Sequence, residues 1–275
     1  MIFDGILLLT DLDGTFLNDL ALPVDENYKA VEYFIKNGGS FSVATGRPPI
    51  SVKEFFPNNN INFPGIVFNG ACLYDFKENC YIYENKPSSE VLNFVLDAYS
   101  VFPQAGLVVY TDEDMYTPKR CFYSEIMEKF EKGNFNEKKS IDELPFTAIK
   151  YLFICEHKTI LEIKKYLEEK AGDKIQITSS LDGFLEVLAP DTNKGTALLK
   201  LKELYKNKIK NIYSIGDYYN DLPILINADI KAVVKGAPDD LQKISDYVTV
   251  KTNNEGAVAD LIYNLENILK KRVKI

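Results

Sequence analysis

The sequence predicts an α/β fold, a doubly wound parallel sheet into which a smaller α+β domain is inserted. The first observation is an apolar run at residues 6–9 that turn residues interrupt from Asp11 onward, as in a buried parallel strand. The second is the strand–loop–helix rhythm that follows, the pattern of a parallel sheet. The third is that this rhythm stops near Tyr81 and returns at Asn193, which indicates an insertion.

The first segment alternates strands and helices. Its first helix carries an approximate helical stripe of apolar side chains, and Gly38-Gly39 ends it because glycine readily adopts the conformation that closes a helix. The predicted elements are a strand at 6–9, a helix at 23–36, a strand at 40–44, a helix that ends at 55–56, a strand at 66–68 and a hairpin of 72–74 with 81–83.

The middle segment mixes strands and helices without that simple alternation. A capping-box-like pattern from Pro87 opens its first helix, and the polar stretch 132–140 is expected to be a loop. We therefore expect 85–183 to form the inserted α+β domain, and 1–84 with 184–275 to form the core. The predicted elements are helices at 87–102, 122–130 and 159–171 and strands at 107–110, 115–116, 148–155, 175–177 and 184–188.

The alternation resumes at Asn193 and continues through the rest of the chain. Turn residues at 216–221 follow an apolar strand, in the same way that turn residues follow the first strand. The predicted elements are helices at 193–205, 222–227, 239–244 and 256–269 and strands at 212–215, 231–234 and 247–249.

The composition excludes several classes of function. The 275 residues carry a formal net charge of −8, so nucleic acid and anionic membranes are not expected partners. The four cysteines form no C-x-x-C pair and there is a single histidine, which argues against a zinc site and against a histidine base. No signal peptide or membrane-spanning run is apparent. A cytoplasmic location is expected, and the oligomeric state is left open.

Acidic residues follow two strands that are far apart in the sequence. Asp11 and Asp13 come after the first strand, and Asp217 and Asp221 come after the strand at 212–215. The carboxyl ends of parallel strands share one edge of the sheet, where open α/β folds bind ligands, so these acids are expected to converge. Oxygen ligands without histidine or thiolate suit a hard cation, and Mg²⁺ is the usual one beside a phosphate.

Lys194 and Thr45 add a positive charge and a hydroxyl to these acids. Thr45 stands at the end of the second strand, where its hydroxyl and the neighbouring amides could hold an anion. The alternative for Thr45 is an ordinary helix N-cap. A carboxylate nucleophile, a cation and groups that neutralise phosphate are what phosphoryl transfer to a carboxylate requires.

Four short motifs occur in order along the chain: D-L-D-G-T at 11–15, A-T-G-R at 44–47, N-K-G at 193–195 and G-D-x-x-N-D at 216–221. Together they resemble the motifs of the haloacid dehalogenase superfamily, and the best match is its Cof-type subclass IIB of sugar-phosphatase-like hydrolases. Shorter matches to that subclass occur at 69–71, 185–187 and 254–258. The resemblance implies a Rossmann-like core with an inserted cap domain.

The resemblance also implies a role for each acidic residue. Asp11 would be the nucleophile that becomes an aspartyl-phosphate, and Asp13 would be first the general acid and then the base. Asp217 would bind Mg²⁺ together with the Asp11 carboxylate and the Asp13 backbone carbonyl. Asp221 would support the metal or its waters.

A phosphate-binding set follows from the same resemblance. Thr45 and Lys194 would hold the phosphoryl group, and Gly46, Arg47 and Asn220 would make further contacts with phosphate or substrate. For Arg47, an ion pair at the surface is an equal alternative.

The resemblance implies that the inserted domain caps the active site, excludes water and selects the leaving group. Tyr218 and Tyr219 replace residues that are often small or acidic in this motif, so they are expected to reshape the rim of the site. Further candidates for facing the substrate are Tyr116, Lys119, Arg120 and Asp182.

These residues favour a Mg²⁺-dependent phosphatase, a phosphoric monoester hydrolase that acts on a small phosphorylated metabolite, with a sugar phosphate expected. A phosphomutase of the same superfamily would share every catalytic residue. A receiver-like signalling module would also use an acidic pocket, a hydroxyl residue and a lysine, but it needs no insertion of this length. A haloalkanoate dehalogenase is disfavoured, because Asp13 would have no leaving alcohol to protonate.

Overall fold

The computed structural model describes residues 1–57, 60–112, 114–130, 135–138, 148–179 and 182–272. The chain divides into two compact units. The core unit comprises Met1–Tyr83 and Asn193–Ile275, and the inserted unit comprises Glu84–Thr192. The predicted α/β fold class is confirmed.

Most helices and strands follow one another along the chain as the sequence predicts, with small shifts at their ends. The strands are β1 (Ile6–Thr10), β2 (Ser40–Val43), β3 (Gly65–Val67), β4 (Cys72–Asp75), β5 (Cys80–Glu84), β6 (Gly106–Tyr110), β7 (Met115–Thr117), β8 (Phe135–Glu137), β9 (Lys150–Ile154), β10 (Gln176–Thr178), β11 (Phe184–Leu188), β12 (Asn211–Gly216), β13 (Ile230–Val233) and β14 (Tyr247–Val248). The helices are α1 (Asp25–Lys36), α2 (Pro49–Phe55), α3 (Ser89–Val101), α4 (Phe122–Phe130), α5 (His157–Ala171), α6 (Lys194–Tyr205), α7 (Leu222–Asn227), α8 (Asp239–Ile244) and α9 (Ala257–Arg272).

The main sheet of the core unit is parallel, with the strand order β14-β13-β12-β1-β2. Every residue of β1 is buried, which explains why this strand is a continuous apolar run. Leu8 of β1 is in register with Tyr213 of β12 on one side and with Phe41 of β2 on the other. The carboxyl ends of β1, β2 and β12 therefore lie side by side at one edge of the sheet.

α6 packs against one face of the main sheet. Leu7 and Leu9 of β1 share a buried cluster with Leu198 and Leu201 of that helix. Because successive side chains of a strand alternate between faces, Leu8 lies on the opposite face. The helices α1 and α9 contact each other, and α1 also contacts β2. Among the described residues, none of the helices combines the length and apolar character needed to cross a bilayer.

A smaller sheet, with the strand order β3-β4-β5, continues the core unit. The predicted hairpin is present, since β4 and β5 are neighbours in this sheet. β3 pairs antiparallel with β4 and is joined to the end of β2 only by a parallel bridge between Ala44 and Ile66. The strand predicted at 66–68 ends earlier than expected, because Phe68 leaves it with a φ of +51°.

The inserted unit has a mixed sheet with the strand order β10-β11-β9-β6-β7-β8. Its first five strands pair antiparallel, and β7 pairs parallel with β8. Side chains of α3 and α5, such as Val95 and Ile163, pack with Phe153 of β9 in one buried cluster. This unit is an α+β arrangement, with helices covering a largely antiparallel sheet.

The structure differs from the sequence prediction at two places in this unit. β8 lies within the polar stretch 132–140, which is predicted to be a loop since it shows no apolar alternation. Its residues form a strand because they pair with β7. The remaining residues of that stretch at 132–134 and 139–140 lie outside the described residues. The return to the core unit comes at Asn193 rather than at 184, because β11 pairs with β9 and β10.

Candidate active site

The chain leaves β1 through a tight turn at Leu12–Phe16. Gly14 has a φ of +74°, and a Cβ at this position would overlap the Asp217 carboxylate, so only glycine fits. The backbone N–H of Asp11 donates to the carbonyl oxygen of Ile215 in β12 at 2.9 Å. Asp11, the predicted nucleophile, is thus fixed beside β12 and is only 6% exposed.

The turn after β12 places the second pair of acids. A Cβ at Gly216 would overlap the carboxylate of Asp221, so this carboxylate packs directly against the end of the strand. Oδ2 of Asp221 accepts the backbone N–H of Asp217 at 3.0 Å. The Thr15 hydroxyl donates to Oδ1 of Asp217 at 2.8 Å. This last bond joins the turn after β1 to the turn after β12.

Lys194 is the first residue of α6, and its side chain is completely buried. The Asn193 side chain caps this helix by accepting two backbone N–H groups of its first turn, both at 2.9 Å, which fixes where the helix starts. Nζ of Lys194 lies 2.8 Å from Oδ1 of Asp11 and 2.6 Å from Oδ1 of Asp221. The lysine therefore bridges an acid from each turn.

Burial and the repulsion between neighbouring acids disfavour the charged forms of Asp11 and Asp217. Burial, followed by the charge of Asp221, raises the pKa of Asp11 well above its usual range, although Lys194 opposes the shift. The same two causes raise the pKa of Asp217 to about 7, against the hydrogen bond from Thr15. Burial would lower the pKa of Lys194, but the carboxylates of Asp11 and Asp221 raise it above its usual range. The single positive charge of Lys194 therefore does not balance the three acids of the cluster.

The donor atoms of this cluster fit a divalent cation. One carboxylate oxygen each of Asp11, Asp217 and Asp221 lies within 4.8 Å of the others, and oxygen ligands suit a hard cation such as Mg²⁺. Both oxygens of Asp221 already have partners, Lys194 at Oδ1 and the N–H of Asp217 at Oδ2. Asp11 and Asp217 are therefore better placed than Asp221 to bind a cation directly.

The carboxylate of Asp13 is held by Arg47 and does not belong to that cluster of three acids. Nε of Arg47 donates to Oδ2 at 2.8 Å and Nη2 donates to Oδ1 at 2.7 Å. The guanidinium also lies over the ring of Phe55, 5.1 Å from its centroid. Arg47 is 5% exposed, so the alternative of an ion pair at the surface is met only in part: Arg47 forms an ion pair, but its own side chain is buried.

Thr45 lies at the end of β2, next to the end of β1. The N–H of Ala44 donates to the carbonyl oxygen of Thr10 at 2.8 Å, which holds the two strand ends together. The Thr45 hydroxyl oxygen accepts the N–H of Arg47 at 3.1 Å, and a hydroxyl that accepts one bond can still donate its hydrogen to another group. α2 begins only at Pro49, so Thr45 is not a helix N-cap.

Asn220 meets a residue that the sequence predictions did not assign to the site. Its Nδ2 donates to Oδ1 of Asn69 at the long distance of 3.5 Å, and Asn69 is buried. A Cβ at Gly46 would come within 2.8 Å of Nδ2 of Asn69. Asn69 therefore lies between Gly46 and Asn220, two of the predicted phosphate-binding residues. The available signal was the N-G-A match at 69–71, which carries no information on where the asparagine side chain points.

The predicted rim residues Tyr218 and Tyr219 are 47% and 48% exposed. Their rings pack edge to face with centroids 5.1 Å apart, and the Tyr219 hydroxyl donates to Asp240 at 3.2 Å. Among the candidates in the inserted unit, Tyr116 bonds Asp114, Arg120 bonds Glu128, and Asp182 contacts His157. The backbone carbonyl oxygen of Lys119 accepts the Thr117 hydroxyl at 2.9 Å.

Comparison with known proteins identifies relatives of this chain. The sequence family described as haloacid dehalogenase-like hydrolase matches residues 8–262. A 5-amino-6-(5-phospho-D-ribitylamino)uracil phosphatase of Bacillus subtilis, YwtE, is 27% identical over 93% of this chain and 96% of its own length. A second B. subtilis phosphatase of the same description, YcsE, is 27% identical over 93% of this chain and 94% of its own length.

Solved structures share the fold. A haloacid dehalogenase-like hydrolase from Bacteroides thetaiotaomicron superposes with a TM-score of 0.84 at 22% identity, covering 94% of this chain and 98% of the other. A subclass IIB sugar phosphatase of that superfamily superposes with a TM-score of 0.78 at 18% identity, covering 94% of this chain and 98% of the other. At these identities the likeness concerns the fold.

Proposed function

The chain belongs to the haloacid dehalogenase-like hydrolase family, and we propose that it is a Mg²⁺-dependent phosphatase that works through an aspartyl-phosphate on Asp11. The relatives are named phosphatases, so the predicted enzyme class, a phosphoric monoester hydrolase, is confirmed. The metal, the substrate class and the chemical steps described below are parts of the proposal.

One observation carries the proposal: the buried ammonium of Lys194 lies between Asp11 and Asp221, 2.8 Å and 2.6 Å away, with Asp217 in the same cluster. A structural ion pair needs one carboxylate for one lysine, and an excess of buried acids is costly unless a cation is added. A nucleophilic carboxylate beside a cation site and a fixed ammonium is the arrangement that phosphoryl transfer requires.

The metal would be held by the carboxylates of Asp11 and Asp217, with the backbone carbonyl of Asp13 as a third ligand. Asp221 would support the site by binding Lys194 and the N–H of Asp217. A bound Mg²⁺ would draw charge from the phosphoryl oxygens and favour the ionised form of Asp11, which burial otherwise disfavours.

The first chemical step would be attack of an Asp11 oxygen on phosphorus. The bond from phosphorus to the ester oxygen breaks, and Asp13 gives its proton to that oxygen as the alcohol leaves. In the second step Asp13, now a carboxylate, takes a proton from water while the water oxygen attacks phosphorus. Inorganic phosphate is released, and the Asp11 carboxylate is regenerated.

Four predicted contacts would surround the phosphoryl group besides Lys194. The Thr45 hydroxyl can donate a hydrogen bond. Gly46 follows it in the same loop, where the Asn69 carboxamide takes the space that a Cβ would fill. Asn220 lies in the turn after β12 and carries a carboxamide. Arg47, which binds the Asp13 carboxylate, adds a positive charge. Fixed donors of this kind stabilise charge that develops on the transferring group.

We propose a small phosphorylated metabolite with a sugar or sugar-alcohol chain as the substrate. Two relatives are phosphatases of 5-amino-6-(5-phospho-D-ribitylamino)uracil, a compound that carries its phosphate on a ribityl chain. We also propose that the inserted unit, Glu84–Thr192, acts as the cap that selects the leaving group. Relatives that match more than nine-tenths of this chain favour a hydrolase over a receiver-like module, which would lack such a unit.

The test is a screen of phosphorylated metabolites with Mg²⁺, including sugar phosphates, ribityl phosphates and p-nitrophenyl phosphate, with Asp11→Asn as the control. Release of inorganic phosphate by the wild-type protein, its loss in Asp11→Asn and its loss with EDTA would support the proposal. An isomeric phosphate ester without phosphate release would identify a phosphomutase instead. Turnover that persists in Asp11→Asn would contradict the assigned nucleophile.

A further inference from the structure

Three consecutive residues with positive φ form the turn that follows β3. The angles are +51° at Phe68, +52° at Asn69 and +99° at Gly70, and all three residues are buried. A left-handed backbone is strained for a bulky residue such as phenylalanine, because its Cβ approaches the following carbonyl oxygen. The surrounding structure must therefore hold this turn in place, and such strain concentrates at functional sites.

The turn is bonded to the loop that carries the predicted phosphate-binding residues after β2. The N–H of Asn69 donates to the carbonyl oxygen of Thr45 at 2.9 Å. The N–H of Phe68 donates to the carbonyl oxygen of Arg47 at 3.2 Å. The two bonds join the turn at 68–70 to the residues immediately before and after Gly46. The conformation of this turn therefore constrains the backbone of the loop 45–47.

The same turn reaches the two other loops of the site. The Asn69 carboxamide packs on Gly46 and accepts from Nδ2 of Asn220 at 3.5 Å. A Cβ at Gly70 would overlap the carbonyl group of Asn193, the residue before Lys194. Loops that are far apart in sequence therefore meet at one strained and buried turn.

We infer that Asn69 is a positioning residue for phosphate binding: its carboxamide orients Asn220, while its left-handed backbone keeps the Thr45–Arg47 loop in shape. The inference rests on the proposed function, since it concerns the phosphate side of the same site. Asparagine suits both tasks, because it tolerates a left-handed backbone better than most residues and carries a donor and an acceptor.

Asn69→Gly separates these two tasks. Glycine adopts a φ of +52° without strain, so the backbone and the fold are retained while the carboxamide is lost. The matched control is Asn79→Gly, since Asn79 has a φ of +56° but is exposed in the loop between β4 and β5. Both variants relieve the same backbone strain, and only Asn69→Gly removes a side chain from the site.

The readouts are thermal unfolding, the KM and kcat for p-nitrophenyl phosphate with Mg²⁺, and the inhibition constants of inorganic phosphate and orthovanadate. We expect both variants to keep the wild-type Tm or exceed it. In Asn69→Gly the KM and both inhibition constants should rise about tenfold, roughly the effect of one hydrogen bond to a charged group, while Asn79→Gly stays at wild-type values. Equal constants in the two variants would overturn the inference.

A double-variant cycle tests the link to Asn220. If Asn69 acts through Asn220, the losses in Asn69→Gly and Asn220→Ala should combine to less than their sum, whereas fully additive losses would contradict the link. Should Asn69→Gly fail to fold, Asn69→Asp carries the test, because aspartate also tolerates this backbone and its charge should weaken phosphate binding further. If wild-type protein hydrolyses no phosphate ester, the proposed function fails, and calorimetric binding of inorganic phosphate to wild type and Asn69→Gly still tests the inference.

Discussion

Arg47 binds the carboxylate of Asp13 through two parallel hydrogen bonds, Nε to Oδ2 at 2.8 Å and Nη2 to Oδ1 at 2.7 Å. The guanidinium is buried and packs on the ring of Phe55, so it fixes the plane of the carboxylate. In the proposed mechanism Asp13 gives a proton to the leaving alcohol in the first step and takes one from water in the second. We therefore expect the pair with Arg47 to loosen when Asp13 acts as the acid.

We expect Arg47→Lys to reduce kcat/KM for an alkyl phosphate about 10- to 100-fold, because lysine cannot form two parallel bonds and leaves Asp13 poorly oriented. The same variant should lose much less with p-nitrophenyl phosphate, whose leaving group departs without a proton. Steady-state kinetics with both substrates give the two ratios. Asp13→Asn should show the same preference, and an equal loss with both substrates would argue against an orienting role for Arg47.

Asp217→Asn should have opposite effects with and without the metal. In metal-free protein, burial raises the pKa of Asp217 to about 7, well above the usual range of an aspartate. A raised folded-state pKa means that stability falls as pH rises from the unfolded value through the folded one. At pH 8 the metal-free variant should therefore be more stable than wild type, by about 1–3 kcal/mol.

With Mg²⁺ the order should reverse, because wild type gains stability from binding and Asp217→Asn gains little. Thermal unfolding with EDTA and with Mg²⁺ at pH 8 measures all four values. A Mg²⁺-induced rise in Tm that is as large in Asp217→Asn as in wild type would show that Asp217 does not bind the metal.

Lys194→Met should destabilise the metal-free protein by about 3–5 kcal/mol, since it leaves the buried carboxylates of Asp11 and Asp221 without their counter-charge. Adding Asp221→Asn should recover much of this loss by removing one of the two charges. Denaturant unfolding measures both variants. Neither variant should turn over phosphate esters, because the ammonium beside Asp11 is absent. A single variant as stable as wild type would contradict the balance of charges described here.

A buried ion pair in the inserted unit allows a prediction that concerns stability alone. Nζ of Lys150 lies 3.2 Å from Oε2 of Glu186 and 4.5 Å from the ring centroid of Tyr110, and both charged residues are 2% exposed. Lys150→Met should cost about 3–5 kcal/mol, because it removes the counter-charge of a buried carboxylate. The double variant Lys150→Met/Glu186→Leu should be close to wild type in denaturant unfolding, and a double variant as unstable as the single one would contradict this reasoning.

The sequence predicted the parts of the fold that local patterns determine. The apolar run at 6–9 predicted the buried strand β1, because a fully buried strand is apolar throughout. Gly38 predicted the end of the first helix, because glycine is common just after a helix. The family resemblance is confirmed by a match over residues 8–262. The shared edge of a parallel sheet predicts that Asp11, Asp13, Asp217 and Asp221 converge. The structure brings Asp11, Asp217 and Asp221 together, whereas the Asp13 carboxylate binds Arg47 instead.

Other features depend on long-range contacts that leave no such trace. β8 is polar and exists because it pairs with β7, and β11 belongs to the inserted unit because of its partners β9 and β10. The pairing of Arg47 with Asp13 and the place of Asn69 between Gly46 and Asn220 both depend on side-chain direction. Periodicity and motif spacing give positions along the backbone and do not give such directions.

The most direct test of the central claim is to find the phosphoryl group on the protein itself. Enzyme with Mg²⁺ is mixed with ³²P-labelled p-nitrophenyl phosphate, quenched in acid within one turnover and digested, and the labelled peptide is identified. We predict label on Asp11, more label in Asp13→Asn because the base for hydrolysis is missing, and none in Asp11→Asn. Phosphate release without any labelled Asp11, or label on Asp11→Asn protein, would contradict the account.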